Sequence, residues 1–319
     1  MKTIKLIIAI LALSIFAMSC SKDDEAKAII DKPLEEFTIV TQKISTPVTP
    51  KLAYQGYESS SWFQLVGNDI LYTCASNIGL GNPQFMLKYN LQSNTFSTIT
   101  PNIEVCACGY MNGFITDGTN AFMIANEALK YTLATNAWSE IFYPTIIKEN
   151  SGETGMSYTN GKIYVCGGRS PSKRFVSYNI DGNVWQNELN YLENITTSEM
   201  ITIANKIYLL GGNATDKNFS YFDIPSNSWT AKSDLNFTLS PNEIVNKVTS
   251  TKERYLFVFE ENKIYVYDTM KDIWKKDPIA IPIPASTKAL NLFRQNDNTL
   301  LITGVSANRN FALYSLTIN

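Results

Sequence analysis

No histidine occurs among the 319 residues. That absence removes Ser-His-Asp and Cys-His catalysis, histidine-ligated zinc or copper, and a histidine pH switch. An excess of either charge is also missing: 27 basic residues face 29 acidic ones, for a net charge of −2. A nucleic-acid binder normally shows a basic excess or stripe, so none is expected here. Arginine is scarce, at positions 169, 174, 254, 294 and 309 alone. With no histidine and no two close cysteine pairs, neither a zinc site nor any other cofactor is expected. What the chain does have is 45% hydrophobic and 12% aromatic residues. That is enough to bury a full core, which excludes a disordered protein.

The longest apolar run, Leu6 to Met18, follows Lys2 and Lys5 and is broken by Ser14. At about 1.5 Å rise per residue it is too short to cross a bilayer as a helix, and it reads as a secretory signal over residues 1–19. Its end, Ala17-Met18-Ser19-Cys20, resembles the lipobox of bacterial lipoproteins, in which the cysteine is lipidated. Ser21-Lys22-Asp23-Asp24-Glu25 follows, and an acidic cluster there resembles the surface-export signal of Bacteroidetes-type lipoproteins. The resemblance implies lipidation of Cys20, a polar tether over 20–35, and a place on the outer membrane facing outward. Loss of Lys2 and Lys5 leaves a mildly acidic body, so the lipid would have to do the anchoring. Four cysteines remain, Cys74, Cys106, Cys108 and Cys166. An exported protein can oxidise them, and a bridge from Cys74 to Cys106 or Cys108 stands beside the alternative of small buried thiols.

An aromatic recurs seven residues before another: Tyr89/Phe96, Tyr131/Trp138, Tyr178/Trp185, Phe222/Trp229 and Tyr267/Trp274. Each pair encloses an Asn or Asp five residues after the first member: Asn94, Asn136, Asn183, Asn227 and Asp272. A spacing of seven fits a hairpin with a two- or four-residue loop that sets the aromatics opposite one another on one face. The Asn or Asp suits a turn position with a left-handed backbone. With Tyr314 the first aromatics recur at a step of about 45 residues, and two strand-like runs precede each. Four short strands in that period make one propeller blade, so residues 36–319 are expected to form an all-β, six-bladed β-propeller.

The final blade ends five residues after Tyr314, too soon for a fourth strand. Residues 36–46 are strand-like and can supply it, with Phe37 in the place of the missing Trp. Such a closure of three strands plus one would tie the termini together and remove free sheet edges.

Gly167-Gly168 with Tyr178 and Trp185, and Gly211-Gly212 with Phe222 and Trp229, resemble the kelch repeat. In the other blades Ala75-Ser76, Ala125-Asn126 and Glu260-Glu261 stand at the glycine positions, with a single Gly304 in the last. In a four-stranded meander the second-to-third and inter-blade loops share one face, and these variable loops are the functional candidates. Arg169, Lys173, Arg174 and Arg309 fall there and suit carboxylate or sugar-acid contacts. Tyr54 and Tyr57 lie in the first long loop and could stack on a sugar ring, while Trp62 just after them could do so or pack between blades. Glu199 and Glu243 are placed where innermost strands begin, near the channel mouth, as a possible acid/base pair.

Two function classes follow. One is a non-catalytic surface lipoprotein that holds a glycan or protein partner. The other rests on the resemblance alone: some kelch propellers are sugar-acid epimerases or mutarotases, and Glu199 and Glu243 with the arginines match that need by residue type. The copper oxidases built on kelch propellers are excluded, because their histidine ligands have no counterpart here.

Overall fold

A computed structural model describes residues 33–47, 52, 61–74, 86–99, 114–124, 128–144, 154–168, 171–196, 198–212, 217–239, 246–251 and 253–319. The chain enters through a 3-10 turn, Leu34–Glu36, and strand β1 (Ile39–Lys43). Blade 1 is β2 (Ser61–Val66), β3 (Asp69–Cys74), β4 (Met86–Asn90) and β5 (Thr95–Ile99). Blade 2 is β6 (Phe114–Thr116), β7 (Asn120–Ile124), β8 (Ala128–Thr132) and β9 (Ala137–Glu140). Blade 3 is β10 (Thr154–Thr159), β11 (Lys162–Gly167), β12 (Phe175–Asn179) and β13 (Val184–Asn187). Blade 4 is β14 (Ser198–Ile203), β15 (Lys206–Gly211), β16 (Phe219–Asp223) and β17 (Ser228–Ala231). Blade 5 is β18 (Val248–Ser250), β19 (Tyr255–Glu260), β20 (Lys263–Asp268) and β21 (Ile273–Trp274), with β22 (Ile279–Ala280) also paired to β20. Blade 6 is β23 (Lys288–Asn296), β24 (Thr299–Val305) and β25 (Phe311–Ile318).

Each blade is an antiparallel meander, and each innermost strand lies beside those of the next and the preceding blade, so the six close into a ring. The protein is therefore a six-bladed β-propeller. Its last sheet runs β1-β25-β24-β23, which is the expected closure by three strands plus one. Ile39 pairs with Ile318, and Thr38 and Asn319 exchange backbone bonds of 3.1 and 3.0 Å. One detail of the closure is corrected. The residue opposite Tyr314 is Lys43, not Phe37. β25 runs on past Tyr314, and β1 begins four residues before Lys43, whereas a hairpin strand begins one residue before its aromatic. Phe37 falls before β1 and is buried against Tyr255 of blade 5, ring centroids 4.6 Å apart.

All five aromatic pairs lie directly opposite one another across the outer hairpins, with centroids 4.8 to 5.3 Å apart. Asn94, Asn136, Asn183, Asn227 and Asp272 all have positive φ. The spacing has a second cause that the sequence left unread. The hydroxyls of Tyr89, Tyr131 and Tyr178 donate to the Oδ1 of Asn94, Asn136 and Asn183 at 2.8, 2.8 and 2.9 Å, and Tyr267 donates to Asp272 in the same way. Each tyrosine thus buries its ring and satisfies its hydroxyl at the turn.

Among the described residues the core forms six apolar clusters, one at each junction between neighbouring blades. At the junction of blades 3 and 4, Phe175 packs edge-on against Phe222 and Trp229. The indoles of Trp185 and Trp229 donate to the Phe142 and Leu189 carbonyls of the preceding blade, at 2.8 and 3.0 Å. Trp62 is buried at the junction of blades 1 and 2, so packing explains it.

Candidate functional site at the channel mouth

The strands give the ring two distinct faces. The Asn turns lie on one, and the chain enters there, because Ile39 begins opposite the last residues of β25. The innermost strands begin on the other, the mouth face, which also carries the second-to-third strand connections.

Those connections differ from blade to blade. In blades 3 and 4 the paired glycines all have positive φ. A Cβ on Gly167 would come within 2.5 Å of the Thr196 carbonyl, and one on Gly212 within 2.7 Å of Ile195. Glycine is thus required by backbone conformation and by the close approach of the segment leading into blade 4. Blade 5 dispenses with this arrangement. Glu260 pairs with Lys263 across a two-residue turn in which Glu261 and Asn262 both have positive φ. Register also moves two of the expected positions. The counterparts of Gly167 are Cys74 in blade 1 and Ser306 in blade 6, rather than Ala75 and Gly304.

The same register identifies one ring position just inside the mouth. It holds Trp62 in blade 1, Gly155 in blade 3, Glu199 in blade 4, Lys247 in blade 5 and Lys288 in blade 6. Glu199 therefore does lie near the start of an innermost strand. Its counterpart in blade 5 is Lys247, because β18 begins only at Val248, and Glu243 lies outside the described residues.

The Lys247 ammonium donates to Glu260 Oε2 at 2.9 Å, with both side chains almost wholly buried. Glu260 occupies the point where blades 3 and 4 have a glycine, and the Lys247 ammonium offsets the cost of burying its carboxylate there. Glu199 sits beside this pair. Burial pushes its carboxyl up to about 8, against the opposing pull of the Lys247 ammonium and of a hydrogen bond from the Lys247 backbone N–H; the Glu260 charge adds to the rise. The residue still keeps partial exposure along the channel. Beside the pair lies a cavity of about 360 Å³. Lys247, Glu260, Asn262, Thr287 and Lys288 supply its polar wall, and Phe259 and Leu290 its apolar one.

The candidate cations of the variable loops fall on different blades. Lys173 and Arg174 belong to blade 3 and Arg309 to blade 6, on opposite sides of a six-membered ring. The Lys173 ammonium donates to the Leu192 carbonyl at 2.9 Å. Arg174 is half-buried; burial lowers its guanidinium from the usual range, and Tyr143 and Cys166 lie within electrostatic reach. Arg309 occupies a left-handed turn whose carbonyl accepts from the Leu52 N–H at 2.7 Å. Arg169, Tyr54, Tyr57 and Cys20 lie outside the described residues, as do Cys106 and Cys108. Cys166 is a free, buried thiol, and burial raises it well above its usual range, so it is held as an inert thiol. Among the described residues no group of three or more His, Cys, Asp or Glu is placed to hold a metal ion.

A scan against protein-family models finds no match, and no curated protein matches the chain.

Lys247, Glu260 and Lys288 are the site residues that sequence reasoning missed. A signal for the first two did exist: Glu260-Glu261 stands where a glycine pair was expected, and a buried acid requires a cation nearby.

Proposed function

We propose that the chain is a kelch-type surface lipoprotein, lipidated at Cys20 and held on the outer membrane, whose propeller captures a glycan or a protein partner without turning it over. The observation that carries this reading is the charged cavity at the mouth between blades 5 and 6. It lies on the face opposite the one where the chain enters the ring, so a tether over 20–35 would leave the mouth free to face outward. Support for the kelch kind comes from the aromatic pairs, from the positive φ of both glycine pairs and from the close approaches at Gly167 and Gly212. The lipobox-like end supports the anchor.

Two measurements test the reading. In detergent partitioning, wild type is expected in the detergent phase and Cys20→Ala in the aqueous phase; equal partitioning would overturn the anchor. A glycan array probed with the soluble Cys20→Ala protein is expected to give a discrete set of binders. Silence on the array together with no protein captured at the cell surface would overturn the binding role.

One observation favours the second reading, a sugar-acid epimerase or mutarotase. Burial pushes the Glu199 carboxyl up to about 8, whereas the neighbouring Glu260 carboxylate accepts from the Lys247 ammonium, so two carboxyl groups with unlike surroundings meet at the mouth, as acid/base work needs. Turnover of a sugar acid followed by NMR, abolished in Glu199→Gln, would decide for it.

A further inference from the structure

Blades 5 and 6 place a lysine at the same point of the mouth, yet the two lysines have different surroundings. Lys247 faces Glu260, which stands at the fourth residue beyond Leu256. In blade 6 the corresponding residue is Ser306, four beyond Ile302, so the blade's own second strand offers Lys288 no acid. Among the described residues no carboxylate lies within ion-pairing distance of the Lys288 ammonium. The other acid on the cavity wall, Glu261, lies 3.9 Å from Lys263. Both acids of the wall therefore stand beside lysines of their own, and the charge left over is the positive one of Lys288. An exposed, hydrated ammonium at the rim of a cavity meets an oxyanion as a point charge.

The cavity's size and lining narrow the ligand further. About 360 Å³ is at the small end of ligand sites, room for about one sugar unit and not for a folded protein segment. Asn262, whose amide nitrogen donates to the Ile283 carbonyl at 3.2 Å, and Thr287 are its neutral polar lining residues, and Phe259 and Leu290 can take the apolar face of a ring.

We infer that the cavity between blades 5 and 6 is the subsite for an acidic saccharide unit, with Lys288 meeting its carboxylate or sulfate. This rests on the glycan form of the proposed binding role.

The test titrates the soluble Cys20→Ala protein with glucuronate, glucose 6-sulfate and glucose, read by calorimetry or ligand-observed NMR. At least one charged sugar is expected to bind at least about tenfold more tightly than glucose. Lys288→Gln is expected to weaken the charged sugars by about ten- to a hundredfold, as loss of a charge-assisted contact does. It should leave glucose binding and the melting temperature nearly unchanged. Lys217→Gln, on the exposed loop of blade 4, serves as the control and should change nothing. Whichever charged sugar binds more tightly separates the carboxylate source from the sulfate ester. If glucose binds as well as both charged sugars, or Lys288→Gln leaves the charged sugars untouched, the inference fails while the glycan-binding role stands. If no saccharide binds and the array is also silent, the role beneath it fails too.

Discussion

On the turn face, four of the five outer hairpins repeat one bond, from a tyrosine hydroxyl to the Asn or Asp of the turn. On the mouth face, the ring position of Glu199 carries Trp, Gly, Glu, Lys and Lys in the five blades where it is described. Blade 5 shows the contrast within one sheet, since it has a buried ion pair at each end. At the turn face, Arg254 grips Asp268 with two bonds of 3.0 and 2.6 Å, and Asp268 also accepts the backbone N–H groups of Met270 and Lys271. At the mouth face, Lys247 and Glu260 share a bond of 2.9 Å beside an open cavity and a third ionisable group. The first pair is satisfied by structure alone. The second borders solvent-sized space, which is what a ligand site needs and what a purely structural pair does not.

Breaking the two pairs should separate these roles, and the turn-face pair should give the largest effect. Asp268→Ala removes the carboxylate from a buried guanidinium and frees two turn N–H groups. A loss of about 3–5 kcal/mol is expected in urea unfolding. Glu260→Gln keeps a hydrogen-bond acceptor, and water in the cavity can reach Lys247, so a smaller loss of about 1–3 kcal/mol is expected. Equal losses would erase the distinction between the two ends. The pH dependence adds a check. Burial alone would raise the Asp268 carboxyl, but the bonds from Arg254, Lys271 and Met270 overcome it and hold the group below its usual range. Its contribution is therefore present above the ordinary carboxylate value and lost as pH falls through the depressed one. The gap between wild type and Asp268→Ala should close on that acid limb.

Glu199 gives the opposite sign. Its folded-state value, about 8, lies above the ordinary 4.5, so between those limits the folded protein holds a proton that the unfolded chain has released. Stability falls with rising pH across that window and levels off above it. Glu199→Gln can still accept the Lys247 N–H and carries no charge. It should match wild type below about pH 4 and exceed it at pH 8 by roughly 2 kcal/mol, a figure discounted because the residue keeps contact with the channel. Thermal melts at pH 4, 6 and 8 measure this. A variant less stable than wild type at pH 8 would show that the charged carboxylate is a structural partner of Lys247.

The turn face was legible because its signal is periodic: five aromatic pairs at one spacing fix five hairpins, and the strand-like run at 36–46 does pair with the last blade, through β1. The mouth face was far less so. Its key position is defined by strand register, and a shift of one or two residues in that register was enough to misplace Gly304 and Ala75. Phe37 looked like the missing tryptophan because it is aromatic and early, whereas the long β25 puts Lys43 at that place. The arginines shared a face but not a side of the ring, which loop membership alone does not reveal. Glu260 and Lys247 are thirteen residues apart and meet only because β18 and β19 fold back on one another.

The smallest expected effect probes the one outer hairpin that breaks the turn-face rule. Blade 4 has Phe222 opposite Trp229, and Asn227 takes the same left-handed conformation as its counterparts, with φ of 51°. Nothing on the Phe222 ring can donate to Asn227, so its turn lacks the bond that the other four make. Phe222 is as buried as Tyr131 and Tyr267, and ring positions and turn lengths match, so a hydroxyl added at Cζ points at the Asn227 amide oxygen. Phe222→Tyr should therefore gain about 0.5–1.5 kcal/mol, the usual net worth of one such bond, measured by urea unfolding. The converse change in an intact hairpin, Tyr178→Phe, should lose a similar amount by leaving Asn183 without its donor. Opposite signs of similar size would show that the hydrogen bond, and not ring packing alone, sets the seven-residue spacing. If Phe222→Tyr loses more than about 1 kcal/mol, the hydroxyl has no room in blade 4, and this hairpin has been repacked around phenylalanine.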